Sequence, residues 1–188
     1  VHFGTSKTDL KTFTGTSAAV DASLTDEVAY VYNHVVVTGL KENATYYYTV
    51  EKNGVQTDLA TYRTGSFSTV RMLYVGDPQI GASKGQPQGS EQLVADSGVA
   101  NTAARNDSFG WNRTLEIATA QNPDANFMIS AGDQVNKTGK PKEEEYAGYL
   151  YPEVLAGLPV ATTIGNHDSL NPCLLYTSPS PRDMRRSR

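Results

Sequence analysis

The sequence predicts two domains of different class, an all-β domain over residues 1–65 and an α/β domain over residues 69–172. In the first, short runs rich in valine, threonine and tyrosine alternate with turn residues, and none has helical spacing. In the second, apolar runs alternate with helical segments, which is the order typical of a parallel sheet. These apolar runs cover residues 70–75, 125–131 and 158–164.

Strand alternation and turn signals define the elements of the first domain. Residues 1–4 have the pattern of a middle strand, and Asn53-Gly54 predicts a two-residue hairpin turn ahead of a strand at 58–63. Two sets of side chains alternate and are predicted to share an inner face. They are Val35, Val37 and Leu40, followed by Tyr46, Tyr48 and Val50.

Two helices are predicted between the apolar runs of the second domain. Trp111, Leu115 and Ala118 share one face of the first helix, which Asn122-Pro123 ends. The second helix has Pro141 in its first turn, and its run of glutamates is predicted to form an exposed acidic first turn. These glutamates are Glu143, Glu144 and Glu145.

A long segment rich in glycine, serine, glutamine and asparagine, Gly81 to Asp107, follows the first apolar run. Loops of this length are usually either functional lids or disordered segments. Both possibilities stay open from the sequence.

Composition excludes several classes of function. The 188-residue chain has 16 basic and 20 acidic residues, and no basic cluster lies in its interior, so we expect no nucleic-acid partner. The single cysteine, Cys173, excludes an intrachain disulfide and a thiolate zinc site, so a bound metal would need oxygen and nitrogen ligands. No apolar run is long enough for a transmembrane segment, and the sequence does not start with a signal peptide. Oligomeric state is not predicted.

Residues 173–188 differ in composition from the rest of the chain. They are rich in serine, proline and arginine and have no periodicity. We interpret this tail as non-native, adapter-like sequence and leave it out of the fold prediction. A disordered basic tail of the native protein is the alternative.

Each of the three apolar runs ends in glycine followed by polar residues. In an open α/β sheet, ligands bind beyond the carboxyl ends of the strands, so these side chains are expected to converge. Glycine before each would let backbone segments approach closely. A single Gly-Asp after a strand is commonly a turn with a solvated carboxylate, but three in register indicate a site. The motifs are Gly76-Asp77-Pro78-Gln79, Gly132-Asp133-Gln134-Val135-Asn136 and Gly165-Asn166-His167-Asp168.

These motifs resemble the signature of calcineurin-like metallophosphoesterases, and the preceding domain narrows the resemblance to purple acid phosphatases. His34-Val35-Val36-Val37-Thr38-Gly39-Leu40 and Thr45-Tyr46-Tyr47-Tyr48 resemble the fibronectin type III-like domain of that group. The resemblance implies an incomplete fibronectin III-like sandwich whose first strands are missing. It also implies the first half of a metallophosphoesterase domain, a β-sandwich flanked by helices, whose C-terminal part is missing.

The resemblance implies a dinuclear-metal hydrolase of phosphate monoesters, of the acid phosphatase type, that uses a metal-bound hydroxide. Asp77 would bind the first metal, Asp133 would bridge both metals, and Asn166 would bind the second. A bridging carboxylate offsets the repulsion between two cations about 3.5–4 Å apart. His167 would hydrogen-bond the substrate and help to protonate the leaving group.

The sequence departs from the purple acid phosphatase pattern around the first metal. Asn136 stands where that group has the tyrosine that gives the colour, so we expect a colourless protein. Gln79 stands where other metallophosphoesterases have histidine or glycine. Gln79, Asn136 and Asp168 are candidates for metal binding or for support of the ligands, and Asp168 would either orient His167 or cap its turn. Two metal ions are expected, with iron, zinc and manganese all open.

No histidine follows His167, whereas the family's later Val-x-x-His and Gly-His-x-His elements supply three histidine ligands. We therefore expect a fragment that binds metal weakly and hydrolyses phosphate esters negligibly. For the parent protein, the resemblance implies a small phosphate ester as substrate and a secreted or cell-surface location.

Two alternatives to a phosphomonoesterase remain. One is a phosphodiesterase or nucleotidase, and the other is a non-catalytic cell-surface binding module, which Gln79 and Asn136 favour. The presence together of the three proposed metal ligands and of the histidine proposed to contact substrate favours an enzyme. The two other histidines, His2 and His34, are expected to be partly exposed strand residues rather than ligands.

Overall fold

The computed structural model describes residues 1–20, 29–83, 102–138 and 143–168. Up to residue 64, strands are the only regular secondary structure in the described part. They are β1 (His2–Gly4), β2 (Lys11–Thr12), β3 (Thr16–Ala19), β4 (Val31–His34), β5 (Thr45–Thr49), β6 (Glu51–Lys52), β7 (Val55–Gln56) and β8 (Ala60–Arg63).

The largest sheet of this strand-rich part is antiparallel, with the order β2-β1-β5-β8. Strand β1 lies between β2 and β5. Aromatic side chains fill one face of the sheet, where the rings of Phe3 and Tyr46 stack at a centroid distance of 4.8 Å. Buried Tyr46 also accepts a hydrogen bond from the backbone amide of Lys41 through its hydroxyl, at 2.7 Å.

The hairpin predicted at Asn53-Gly54 is present. Lys52 pairs with Val55 across β6 and β7, and both turn residues have positive φ, 52° for Asn53 and 79° for Gly54. This is the backbone conformation of a two-residue type I′ turn, which asparagine and glycine adopt readily.

The predicted inner faces are only partly correct. Val35, Val37 and Leu40 are half-buried, but β4 ends at His34, so they lie beyond the strand. Val50 was expected to point inward, and it is 40% exposed. Strand β5 ends at Thr49, which takes the buried position, and the chain then turns into the β6–β7 hairpin.

The second part of the chain has the predicted β-α-β-α-β order. Because β10 pairs in parallel with both β9 and β11, all three strands point the same way. The sheet order is β9-β10-β11. The elements are β9 (Met72–Val75), α1 (Thr102–Gln121), β10 (Phe127–Ser130), α2 (Glu143–Leu150), a 3-10 helix (Glu153–Ala156) and β11 (Val160–Thr162).

The hydrophobic core lies between this sheet and the two helices. Trp111 and Leu115 are buried, as their helical spacing predicts, and Ala118 is half-buried. The Trp111 ring stacks on Tyr149 of α2 at 5.7 Å and donates a hydrogen bond to the Tyr149 carbonyl oxygen at 3.0 Å. The buried core comprises Ile80, Ala104, Trp111, Leu115, Met128, Val135, Tyr146, Tyr149 and Leu158.

The two faces of the parallel sheet differ. Leu73 and Val75 of β9 pack against the core, whereas the alternate residues Met72 and Tyr74 are 49% and 71% exposed. Parallel strands usually have both faces covered. In the described part of the chain, β9 therefore carries a solvent-exposed apolar face.

The segment predicted as a long loop is shorter than expected. Helix α1 begins at Thr102, so residues 102–107 are helical rather than part of the loop. Asp107 of this helix ties the loop after β9 to it, because its carboxylate accepts hydrogen bonds from the backbone amides of Gly81 and Ser83 at 2.8 and 3.1 Å. Residues 84–101, Pro141 and the 173–188 tail lie outside the described residues. Neither helix in the described ranges is long and apolar enough to cross a membrane.

Candidate functional site

The three predicted motifs follow three neighbouring parallel strands, so they emerge at the same edge of the sheet. Several of their residues adopt the left-handed backbone region. Asp77, Gln79 and Asp133 have φ values of 47°, 38° and 49°. Non-glycine residues in this region are uncommon, and these three lie in the loops that follow β9 and β10.

Backbone hydrogen bonds join the loop after β9 to the loop after β10. The amides of Gln79 and Ile80 donate to the carbonyl oxygens of Asp133 and Gln134, at 3.0 and 3.1 Å. The amide of Asn136 donates in return to the Ile80 carbonyl at 3.0 Å. The first two motifs therefore run side by side in a short parallel bridge between Ile80 and Val135.

Glycine allows close approach at two of the three motifs. A Cβ atom at Gly165 would lie 2.0 Å from the Asp133 carboxylate and 2.4 Å from its amide nitrogen. At Gly132, which has φ of 101°, it would lie 2.8 Å from the Gly165 amide nitrogen. At Gly76, no other atom of the described residues lies within 4 Å of such a Cβ. The expectation of close packing is correct for the second and third motifs and wrong for the first.

Asp133 and His167 contact each other directly. Asp133 is only 8% exposed, and its Oδ1 accepts a hydrogen bond from the His167 backbone amide at 3.0 Å. The His167 ring contacts the carbonyl oxygen of Asn136 through Nδ1. Because a carbonyl oxygen only accepts hydrogen bonds, this contact places the proton on Nδ1, and a neutral ring then has its lone pair at Nε2.

The other predicted site residues are less closely joined. The side chains of Asp77 and Asn166 are exposed, and Gln79 and Asn136 are half-buried. Within the described ranges, no hydrogen bond connects the Asp77 side chain to another predicted site residue. The structure therefore brings Asp133, Asn136 and His167 together and leaves Asp77 at the solvent-exposed rim.

The donor set fits a metal ion that prefers oxygen ligands. The carboxylates of Asp77 and Asp133 and the amide oxygen of Asn166 are hard donors, which suit magnesium and manganese as well as iron or zinc. In the described part of the chain, no group of three or more His, Cys, Asp or Glu side chains is arranged to hold a metal.

Asp168 acts as a turn cap. It is fully buried, and its carboxylate accepts hydrogen bonds from the backbone amides of Gln134 and Gly165 at 3.1 and 3.0 Å. The hydroxyl of Tyr146 donates a third, at 2.9 Å. Of the two roles predicted for Asp168, these contacts are those of a cap rather than of a partner to the His167 ring.

A buried polar layer lies beneath the motifs. The Gln134 side chain is fully buried and donates from Nε2 to the Ser130 hydroxyl and to the Thr163 carbonyl, both at 3.1 Å. Among the described residues its Oε1 has no hydrogen-bond partner. Burial raises the pKa of the nearby Tyr149 phenol, the Ser130 hydroxyl opposes that shift, and the Asp168 charge adds to it. This layer connects the ends of β10 and β11 to α2.

Glu145 is a functional candidate that the sequence prediction missed. Glu143 and Glu144 are exposed as predicted, but Glu145 is only 7% exposed. Its Oε2 accepts hydrogen bonds from the backbone amides of Asn136 and Lys137 at 3.1 and 2.8 Å. The helical spacing of Glu145 and Tyr149 on one face was the available signal, since residues four apart are neighbours on a helix.

The two remaining histidines lie on strands of the β-rich part, as predicted. His2, on β1, contacts Thr12 at 3.0 Å and Glu51 at 2.8 Å through its two ring nitrogens. The hydrogen bond from His2 lowers the pKa of the Glu51 carboxyl. His34 is exposed at the end of β4.

Taken together, the fold is a parallel α/β sheet with a loop-built polar site at its carboxyl edge. A family model described as calcineurin-like phosphoesterase matches residues 70–186. This match covers more than half of the sequence, and the chain belongs to the calcineurin-like phosphoesterase family. The family predicted from the three motifs is thereby confirmed. The match also runs into the serine-, proline- and arginine-rich tail, whose non-native origin stays a prediction.

Among solved structures, the chain is similar to purple acid phosphatase PPD1 isolated from yellow lupin (Lupinus luteus) seeds. The two share 13% sequence identity at a TM-score of 0.59, over 97% of this chain and 36% of the lupin chain. The likeness is one of fold, and this chain spans little more than a third of the lupin enzyme. No curated protein matches the sequence.

Proposed function

We propose that this chain supplies part of a dinuclear metal centre in a phosphoesterase. Asp77, Asp133 and Asn166 would hold the metals, and His167 would contact the substrate. The observation that carries the proposal is the hydrogen bond from the His167 amide to Asp133, which holds a buried carboxylate against a histidine at the motif edge of the sheet. Membership of the calcineurin-like phosphoesterase family supports these assignments.

The residues of this chain bind and orient the reacting groups. The His167 amide holds the Asp133 carboxylate in place, and the Asn136 carbonyl holds the His167 ring through Nδ1. We assign the contact with a phosphate or leaving-group oxygen to Nε2, which donates to that oxygen when both ring nitrogens carry a proton. When bound, two metal ions supply Lewis-acid activation of the phosphate and of water. Iron, zinc and manganese remain candidates, and with Asn136 in the tyrosine position the protein is colourless.

For the whole protein we propose hydrolysis of small phosphate monoesters, with phosphodiesters or nucleotides as the alternative substrates. The proposed organisation is a fibronectin III-like domain over 1–65 followed by the phosphoesterase domain over 69–172, in a secreted protein that does not bind nucleic acid. The fold likeness over 97% of this chain to a purple acid phosphatase supports this organisation. Because the chain spans 36% of that enzyme, activity, substrate and location are proposals for the whole protein.

A manganese titration of the 188-residue chain tests the proposed ligands. Free Mn²⁺ gives a six-line electron paramagnetic resonance signal that is lost on binding, so the signal measures affinity. We expect weak binding by the wild-type chain and at least about tenfold weaker binding by Asp133→Asn, which removes the bridging charge. Asp58→Asn is the matched control, since Asp58 is an exposed aspartate of the β-rich part.

Two outcomes would contradict the assignment. One is the absence of Mn²⁺ binding by the wild-type chain, and the other is equal affinity of Asp133→Asn and Asp58→Asn. Hydrolysis of p-nitrophenyl phosphate is expected to be negligible, because no histidine follows His167 to complete the ligand set that the family resemblance implies.

A further inference from the structure

Glu145 joins loops that belong to two different motifs. Its Oε2 accepts hydrogen bonds from the successive amides of Asn136 and Lys137, which follow Asp133 in the chain. Its Oε1 lies against the loop after β9, where a Cβ atom at Gly81 would be 2.3 Å away. Gly81 also has a φ of 106°, a backbone conformation that favours glycine.

The contacts of Glu145 lead to the His167 ring. Asn136, whose amide bonds to Glu145, contacts the ring nitrogen Nδ1 of His167 with its own carbonyl oxygen. Asn136 therefore links the two side chains. Its amide bonds the buried carboxylate of Glu145, and its carbonyl oxygen contacts the ring of the histidine proposed to contact substrate. The same Asn136 amide also donates to Ile80, so the Lys137 amide depends more directly on Glu145.

Burial of a carboxylate at this position has a specific physical basis. A buried charge is costly unless it is hydrogen-bonded, and charge-assisted bonds from backbone amides offset that cost. Glu145 is 7% exposed and has two such bonds, whereas the preceding Glu144 is exposed on the same helix. Glutamate at position 144 and glutamate at position 145 contribute equally to helix propensity and to charge. The contacts with the two loops distinguish Glu145.

We infer that Glu145 is a positioning residue that fixes the loop between Asp133 and Lys137 and, through the Asn136 carbonyl, sets the tautomer and orientation of His167. The relevance of this role to catalysis rests on the proposed function, whereas the positioning itself is a property of the metal-free chain. Asp107 holds the neighbouring loop in the same manner, through the amides of Gly81 and Ser83.

Three variants of the full 188-residue chain test the inference. Glu145→Ala removes both acceptor oxygens, Glu145→Gln keeps one carbonyl acceptor in a side chain of the same size, and Glu144→Ala is the matched control on the exposed face. Two measurements are made without metal at a single pH. Amide hydrogen exchange follows Lys137 and Asn136, and nitrogen-15 shifts of the His167 ring report its tautomer.

In Glu145→Ala, we expect the Lys137 amide to exchange at least about tenfold faster, because it loses a charged acceptor. The Asn136 amide should change less, since it keeps the Ile80 carbonyl. The His167 ring should shift from the Nδ1-protonated tautomer to a mixture. Glu145→Gln should restore most of both signals, and Glu144→Ala should match the wild-type chain.

The inference is wrong if Lys137 exchanges equally fast in Glu145→Ala and Glu144→Ala. It is also wrong if exchange rises by the same factor throughout the α/β part while the His167 tautomer stays unchanged, because that pattern describes a merely structural residue. Failure of the wild-type chain to bind Mn²⁺ would instead overturn the proposed function. The exchange and tautomer data would still decide the role of Glu145.

Discussion

The backbone amide of His167 donates a hydrogen bond to the carboxylate of Asp133 at 3.0 Å, which links the motif after β11 to the motif after β10. The contact depends on Gly165, whose missing side chain leaves room for the Asp133 carboxylate and amide. The geometry of the proposed site is therefore coupled to the packing of a single glycine.

Alanine at Gly165 is expected to be destabilising, whereas alanine at Gly76 is expected to be tolerated. The added methyl at Gly165 would lie 2.4 Å from the backbone amide nitrogen of Asp133, which cannot move as a flexible side chain would. Overpacking of this kind costs about 1–3 kcal/mol or more, and an unobstructed surface substitution about 0.5 kcal/mol or less. Urea unfolding measures both variants. Equal losses would contradict the packing described at Gly165.

The contact between Asp168 and Tyr146 should contribute to stability through a shared network. Asp168→Ala leaves the buried amide of Gln134 and the partly buried amide of Gly165 without their acceptor, and we expect a loss on the order of 3 kcal/mol. Tyr146→Phe removes one hydrogen bond, and about 1 kcal/mol should be lost. Because the two side chains contact each other, the double variant should lose at least about 0.5 kcal/mol less than the sum. Strict additivity would show that the hydroxyl contact contributes nothing.

Tyr149 should make the folded state sensitive to alkaline pH. Burial raises the pKa of its phenol above the ordinary value of about 10, so the folded chain keeps the proton when the unfolded chain releases it. The resulting stability is fully present below about pH 10 and is lost as the pH rises through the folded pKa. Tyr149→Phe should lose less stability than the wild-type chain between about pH 9 and pH 11.

The free energy of unfolding at several pH values checks this prediction. Tyr74→Phe is the control, because the Tyr74 side chain is 71% exposed. The prediction fails if Tyr149→Phe and Tyr74→Phe lose stability at the same rate with rising pH.

Replacement of Gly148 by alanine should destabilise the protein, although alanine favours helix formation. A methyl group at Gly148 would lie 2.4 Å from the Ser108 hydroxyl and 2.9 Å from Ile80, where α1 and α2 pack closely. The helix propensity gain of up to about 1 kcal/mol is smaller than an overpacking cost of about 1–3 kcal/mol. Thermal unfolding of Gly148→Ala should therefore show a lower midpoint, and a higher midpoint would indicate a looser helix contact.

Local sequence patterns were sufficient to predict several elements in both parts of the chain. The spacing of Trp111 and Leu115 identified the buried face of α1, and Asn53-Gly54 identified a hairpin, because these signals depend on neighbouring residues alone. Val50 was assigned to the wrong face because β5 ends one residue earlier, at a turn that alternation does not register.

The site was predictable where a motif recurs and not where burial depends on distant segments. Asp133 and His167 were both singled out, and the structure joins them by a hydrogen bond. Glu145 stands in a run of three glutamates that has the appearance of a solvated helix start. Helical spacing to Tyr149 marks its face, but its burial depends on contacts with the loop at Asn136 and with Gly81, which lie outside the helix.

The exposed face of the parallel sheet makes two methionines on adjacent strands unequally susceptible to oxidation. Met72 is 49% exposed on β9, whereas Met128, on the adjacent strand, is fully buried in the core. Thioether oxidation follows solvent access, so peroxide should convert Met72 to the sulfoxide well before it reaches Met128. The mass increase on oxidation of Met72 thus shows whether another molecule or segment covers that face of the sheet.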